Sequence, residues 1–442
     1  MFHVEKRNLV SLPRIGFFDV LLFLYFFTLH ADQLALSLFG FTFRLNNLAA
    51  LTLFLFFFRT FRKTLFSVDK KFLWGFGALS CVLFLSSVLG LDRGRSLIFF
   101  GWYGVTLILY GLLPFLLVTY TSQKRVLTLY LLSFVCVGLY ATLQFLLSLG
   151  GVWDPFLSQY IGDFAGRPNA FAYEPSYYAL YMTPFVMMAN LSYLLDREKS
   201  FLIFNQLTWP LLFLINLLLV LSSSSALIFA YLAFMLSALF FSGLRKSILK
   251  FGVYALLFQA FAFFLVPHFF KDYLLKFFFH GFMDHHSFFE RWVGIVNALK
   301  IFWRHPLWGV GLGGIPPYLY EAWSLREEAF RFLVSNEVIT NSPQPLKFFE
   351  PMNVTSELMA SCGILGCAAF AFLLITYALR AKKALVNAAE LHKHWIFLFL
   401  VSTLVMLVVL QFSQGLFRTY VWVHLALGLG LIHNAKEGDL HL

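Results

Sequence analysis

The chain has 442 residues, of which 60% are hydrophobic and only 12% charged. A water-soluble domain carries about twice that charged fraction, so an ordinary soluble fold is excluded. The net charge of +11 invites a nucleic-acid reading, but the distribution of the charge along the chain assigns it to membrane topology, and no nucleic-acid partner is expected.

Apolar runs near the length needed to cross a hydrocarbon core recur from end to end. Twelve helices are predicted, at 17–30, 44–58, 72–91, 96–121, 127–149, 177–195, 201–221, 226–242, 249–266, 354–379, 395–412 and 419–434. The expected fold class is an all-α polytopic membrane protein, with residues 1–442 forming one transmembrane domain. The first run, Phe17 to Leu29, is followed by "HADQ" rather than a small-residue cleavage site, and reads as a retained helix. The 58 phenylalanines suit lipid-facing surfaces. Cys81, Cys136, Cys362 and Cys367 lie in or beside apolar runs without a C-x-x-C pair, so they read as packing residues.

With the N-terminus placed in the cytoplasm, 20 of the 33 lysines and arginines fall on the inner side, and eight of the other 13 sit in one long loop. Long loops count for little in the positive-inside rule, so the short-loop bias puts both termini in the cytoplasm. Two substantial segments then lie outside, residues 150–176 and 267–353. Loops of the latter size usually carry function.

The first outer segment runs into "RPNAFAYEPSYYALYMTP", Arg167 to Pro184. Arg167 precedes Pro-Asn and so belongs to a shaped turn, and Glu174 stands between Tyr173 and Pro175. "LSSSSAL", Leu221 to Leu227, reads as helix capping at a membrane boundary. In the large loop, Phe288, Trp292, Ile295, Leu299 and Phe302 mark one face of a helix that Pro306 ends. That helix is expected to lie flat on the membrane or to cap the bundle, with Arg291 turned toward the protein. The histidines of the loop, His280, His285 and His286, read as surface residues.

"GVGLGG", Gly309 to Gly314, fits G-x-G-x-x-G literally, but a helix precedes it and two prolines follow. A dinucleotide site needs a strand before and a helix after, so a tight glycine turn is the better reading. Next, "PMNVTSELMASCGILG" opens a helix that Asn353 or Thr355 could cap, with Glu357 in its first turn. No Asp-x-Asp and no His/Asp cluster spaced as metal ligands stands on the outer side, so neither metal nor cofactor is expected.

Three segments together resemble the O-antigen ligase and O-antigen polymerase superfamily of bacterial inner-membrane glycosyltransferases of the GT-C kind. They are "RPNAFAYEPSYYALYM", "RWVGIVNALKIFWRHPLWGVGLGG" and "NVTSELMASCGILG". The resemblance implies a GT-C-like bundle of about twelve helices with a large helical periplasmic loop. It also implies transfer of a whole glycan from undecaprenyl diphosphate to a glycan or lipid A–core acceptor, with a chain-length regulator as a possible partner. Arg167 and Arg291 would hold the diphosphate, and Tyr173, Ser176 and Asn353 would line the substrate. Glu174 is the first candidate for general base and Glu357 the second.

Ligases of the family place a histidine before the residue aligned with Asn353, whereas this chain has Met352, which cannot act as a base. Members also often carry an arginine where this chain has Ser225. Those departures and the Glu-Pro-Ser form at Glu174–Ser176 favour a polymerase, with the ligase as the alternative. A flippase or transporter of lipid-linked glycans is a third reading, and it would put ionisable groups near mid-bilayer.

Overall fold

The computed structural model describes residues 16–38, 41–64, 70–161, 165–195, 208–222, 226–237, 286–316, 351–412 and 418–437, together with 204, 246, 248–250, 252–254, 257 and 318. Most of these residues are helical. In chain order the helices are α1 (Phe17–Phe27), α2 (Leu45–Thr64), α3 (Lys70–Leu89), α4 (Arg93–Tyr120), α5 (Gln123–Leu149), α6 (Pro175–Leu194), α7 (Trp209–Leu221) and α8 (Ala226–Ser237). They continue with α9 (His286–Arg304), α10 (Val354–Asn387), α11 (Glu390–Val409) and α12 (Thr419–Glu437). A π turn at Leu107–Leu112 interrupts α4 just before Pro114.

Among the described residues, four helical segments are long and apolar enough to cross a membrane: Arg93–Tyr120, Gln123–Leu149, Val354–Asn387 and Glu390–Phe412. Shorter apolar helices run over Phe17–His30, Leu45–Phe58 and Trp74–Leu89. Of the predicted helix at 249–266, only short helical pieces fall among the described residues. The histidines His280 and His285, and most of the 267–353 segment, lie outside them.

Burial follows from the pattern of side chains. A helix that is apolar all round belongs inside a bundle. In α6 every residue from Tyr178 to Ser192 is buried. This helix packs on α11, α7 and α8, while α12 packs on α4 and α11. Buried polar groups tie neighbours together where no water can reach. Asn190 of α6 and Asn216 of α7 exchange two amide hydrogen bonds of 3.1 and 2.9 Å, and Tyr231 of α8 donates to Asn216. His424 is fully buried on α12, its ring nitrogens 3.0 Å from Tyr130 Oη and 2.9 Å from Ser402 Oγ. Arg125 at the start of α5 pairs with the buried Asp19 of α1.

Two features differ from the sequence reading. Among the described residues, two short antiparallel hairpins stand in connections between helices: Ala35–Leu38 with Phe41–Arg44, and Tyr160–Ile161 with Ala165–Gly166. A hairpin satisfies backbone groups within a short connection, and neither is long enough to leave an alternating pattern. Next, α10 runs on to Asn387 and contains one non-helical residue, Gly363, at φ 64° and ψ −163°. The apolar stripe of α9 is its outward face: Trp292 is 48% exposed, and Ile295, Leu299 and Phe302 are half-buried. The docked face is the line Gly294, Ala298 and Ile301, which packs against α10, closely at its two small residues. Small side chains let two backbones approach, and a Cβ on Gly294 would stand 3.4 Å from Pro351 Cα.

The glycine turn after α9 is built into the break of α10. Val310 N–H donates to Ala360 O at 3.0 Å and Gly311 N–H to Ser361 O at 2.9 Å, while Ile364 N–H donates to Pro306 O at 2.8 Å. Those carbonyls would otherwise accept within the helix, so the loop takes over the bonds that Gly363 interrupts. On the other side, Leu91 N–H donates to Val310 O, and Ser86 Oγ lies 2.6 Å from Trp308 O and 2.7 Å from Ser361 O. Arg95 Nε donates to Gly313 O at 2.6 Å. The turn therefore joins α9 and α10 by backbone contacts, and α3 and α4 through the side chains of Ser86 and Arg95.

Such closeness excludes a side chain. At Gly309, with φ +68°, a Cβ would fall 2.4 Å from the Ser361 carbonyl carbon. Gly309→Ala is expected to lower stability by about 2 kcal/mol or more, from the left-handed backbone and the overlap together. Gly101→Ala in α4, where nothing lies within 4 Å of the new methyl, should be neutral or stabilise by about 0.5 kcal/mol. Thermal unfolding of the two purified variants in detergent checks the contrast.

Candidate functional site

The segment from Arg167 to Glu174 is pinned from several sides. Gln144, buried on α5, accepts from Ala170 N–H at 2.8 Å and Asn169 N–H at 3.3 Å, and donates to Ala170 O at 3.1 Å. Ala170 is the one non-glycine residue with positive φ among the described residues, at 48°. A strained backbone persists only where its surroundings over-determine it, and the Gln144 amide supplies that constraint. From the first connection, Gln33 N–H donates to Phe171 O, and its amide donates to Phe156 O and Ala172 O.

This frame sets Arg167. Its Nε and Nη2 point to Ser222 O at 3.3 and 3.1 Å, and Nη1 donates to Gln159 Oε1 at 2.6 Å. Ser222 is the first of the four serines after α7, and its hydroxyl bonds back to Leu219 O. Its role here is thus to present a carbonyl to the guanidinium; the next three serines lie outside the described residues. Glu174 stands at the N-cap of α6, accepting from Ser176 Oγ at 2.9 Å, with Tyr173 exposed beside it.

Asn353 caps α10, as one of the two readings of that motif has it: its Oδ1 accepts from Ser356 N–H at 2.8 Å. Its Nδ2 donates to Gln411 O, and Thr355 donates to Gln411 Oε1, fastening the start of α10 to the end of α11. Glu357 is buried in the first turn of α10, where the helix dipole favours a negative charge. Arg291 is half-buried and falls on the docked face of α9, in line with Gly294, Ala298 and Ile301. The structure thus joins Glu174 with Ser176 directly, and brings Arg291's helix against the helix of Asn353 and Glu357. The described contacts of Arg167 are to Ser222 and Gln159, at a separate point of the same loop as Glu174.

One ion cluster had no place in the sequence reading. Asp32, with a side chain only 5% exposed, lies 2.8 Å from Arg44 Nη1 and 3.2 Å from Arg418 Nη1. The Arg418 guanidinium stacks over Tyr177, 3.6 Å from the ring centre, one residue after Ser176. Burial opposes the Arg418 charge, and Tyr420, Tyr177 and Asp32 outweigh it, so its pKa lies above the usual arginine value. Two guanidinium groups on one carboxylate leave a surplus positive charge beside the Glu-Pro-Ser segment. The signal available in sequence was an aspartate in the short connection after α1, on the same side as Arg44 and Arg418. Among the described residues no group of three or more His, Cys, Asp or Glu side chains converges as metal ligands.

Residues 209–371 match the family described as O-antigen ligase. That match, over rather more than a third of the chain, supports the O-antigen ligase superfamily. No curated protein matches the sequence. The matched part runs from the start of α7 to the middle of α10, so it takes in Arg291, the glycine turn, Asn353 and Glu357. Arg167, Glu174 and the Asp32 cluster lie outside it, and Arg167 connects to it through Ser222. The match supports, in general terms, an enzyme of the O-antigen ligase or polymerase type in a membrane.

The ion cluster is open to a direct test. Removing one partner of a buried ion pair costs about 3–5 kcal/mol, because the other charge is left behind. Asp32→Asn is expected to fall near the lower end of that range, since Arg44 is half-exposed to other partners. Arg418→Gln combined with Asp32→Asn should cost less than the two single variants summed. Melting temperatures of the four proteins in detergent, read as a double-mutant cycle, check it.

Proposed function

We propose that the protein is a polysaccharide polymerase of this superfamily. It would transfer a growing glycan en bloc from undecaprenyl diphosphate to the terminal sugar of a second lipid-linked repeat, in the bacterial inner membrane. Twelve spans, cytoplasmic termini and a periplasmic reaction centre complete the proposal; the apolar runs support the first, and the positive-inside distribution of lysine and arginine supports the orientation. The observation that carries the catalytic reading is the fixed setting of Arg167, whose guanidinium is aimed by a carbonyl and an amide oxygen.

In this reading Arg167 and Arg291 grip the diphosphate. Arginine's planar fork matches phosphate oxygens and holds its proton at any working pH. A hydroxyl of the acceptor sugar attacks the anomeric carbon of the donor. A carbon–oxygen bond forms, the bond to the diphosphate breaks with inversion, and undecaprenyl diphosphate departs with the electron pair. Glu174 takes the hydroxyl proton, with Glu357 as the second candidate, and Tyr173, Ser176 and Asn353 line the substrate. The arginines stabilise the charge that grows on the leaving group, so the step as written uses no metal ion or cofactor. Arg418 and Arg44 add positive potential beside the same segment. Met352, in the place of the ligase histidine, favours the polymerase over the ligase; a chain-length regulator is the partner such an activity would meet.

Removing a preorganised donor to developing charge costs roughly 10²–10³ in rate. Arg167→Ala and Arg291→Ala are each expected to abolish visible glycan extension while membrane protein levels stay at wild type. Gel profiles of surface glycan with immunoblots of the membranes provide the measurement, and normal chain lengths in either variant would overturn the clamp. Deleting the gene separates the two acceptors. A polymerase mutant shows core plus a single repeat, whereas a ligase mutant shows bare core with polymer left on the lipid carrier.

A further inference from the structure

At the opposite end of α10 from Asn353, a groove of 540 Å³ is lined by Trp74, Phe372, Thr376, Leu379, Arg380 and Lys383. Five of these six residues belong to α10, and at helical spacing they form one stripe. It begins apolar at Phe372, passes Thr376 and Leu379, and ends cationic at Arg380 and Lys383. The sixth, Trp74, comes from the first turns of α3.

The two helices run antiparallel: Ser86 meets Ser361 near one end, and a Cβ on Gly75 would stand 3.2 Å from Leu373 Cδ1 near the other. Beyond Tyr377, α10 therefore continues past the start of α3, and Arg380 and Lys383 project from the overhang. Trp74 is 72% exposed and Leu379 is 62% exposed, so the apolar walls open sideways rather than into the core. Tryptophan at a helix end marks the level of the lipid head groups. From Phe372 to Lys383 the stripe is about 16 Å long at 1.5 Å per residue, close to the depth of one leaflet.

We infer that this groove binds one anionic glycerophospholipid of the adjoining leaflet. An acyl chain lies along Phe372, Leu379 and the Trp74 ring, and the phosphate meets Arg380 and Lys383. The charge order of the stripe suits this occupant: hydrocarbon below, phosphate above, with two cations one helical turn apart to hold it. The site is remote from the candidate catalytic end and does not rest on the proposed reaction.

Native mass spectrometry of the full-length protein, titrated with phosphatidylglycerol, phosphatidylcholine or undecaprenyl phosphate, tests it. Phosphatidylglycerol is expected to bind at least tenfold more tightly than phosphatidylcholine. Each basic residue near the surface contributes about fivefold in affinity, so Arg380→Gln with Lys383→Gln should weaken phosphatidylglycerol roughly 30-fold. The charge-keeping pair Arg380→Lys and Lys383→Arg should bind within about threefold of wild type. Lys393→Gln, which removes a cation paired with Glu390 on α11, should leave binding unchanged. Equal affinity for the two phospholipids, no effect of the neutral pair, or tighter binding of undecaprenyl phosphate than of phosphatidylglycerol would each overturn the assignment.

Discussion

The backbone bonds between the glycine turn and the break in α10 are the constraint on which the rest of this structure depends. A helix interrupted inside a bundle leaves N–H and C=O groups that lipid cannot satisfy, at several kcal/mol each. Here the interruption at Gly363 is answered by Pro306, Val310 and Gly311, so the break is tolerated only with the turn seated. That requirement fixes where α9 ends, and α9 carries Arg291. It also fixes the direction of the first turns of α10, which carry Asn353 and Glu357. A loop that looks like a ligand fingerprint in sequence thus acts as a structural joint, and its glycines are needed for backbone-to-backbone approach.

The same end of the bundle is held by a second set of polar contacts, built from connections rather than helices. Gln144 holds the strained Ala170 turn, Gln33 ties the connection after α1 to residues 156–172, and Asp32 draws Arg44 and Arg418 together. Arg418 in turn stacks on Tyr177 at the start of α6. None of these residues belongs to the segment that matches the O-antigen ligase family, yet they shape the loop that bears Arg167 and Glu174. Buried ion clusters are weak contributors to net stability but strong ones to conformational uniqueness where geometry must be single-valued. The placement of the cluster beside the Glu-Pro-Ser segment is consistent with that use.

Much of the helical frame was legible because apolar run length and end signals act locally. The cap at Asn353, the first-turn position of Glu357 and the end of α9 before Pro306 all follow from side chains within four residues of the feature. What sequence did not reveal is tertiary. The docked face of α9 carried no local signal, because a helix in contact with lipid can turn large apolar residues outward and pack through glycine and alanine. The Asp32 cluster joins residues nearly 400 positions apart, and no local pattern signals such a pairing. The His424 contacts were invisible for the same reason, since a lone histidine in an apolar run does not name its partners.

The length of α10 connects these observations. Thirty-four residues at 1.5 Å each make a helix of about 51 Å, well beyond a hydrocarbon core of about 30 Å. One unbroken rod of that length would carry any tilt at one membrane surface through to the other. The break at Gly363 comes only two to three turns from the capped end, so it divides α10 into a short part and a long part. The short part is fixed by the glycine turn, Gln411 and α9, and holds Asn353 and Glu357. The long part packs on α3 and overhangs it, carrying the Arg380–Lys383 groove. A broken helix with both halves anchored lets the long part follow the bilayer while the end with Asn353 and Glu357 keeps the geometry set by its own contacts.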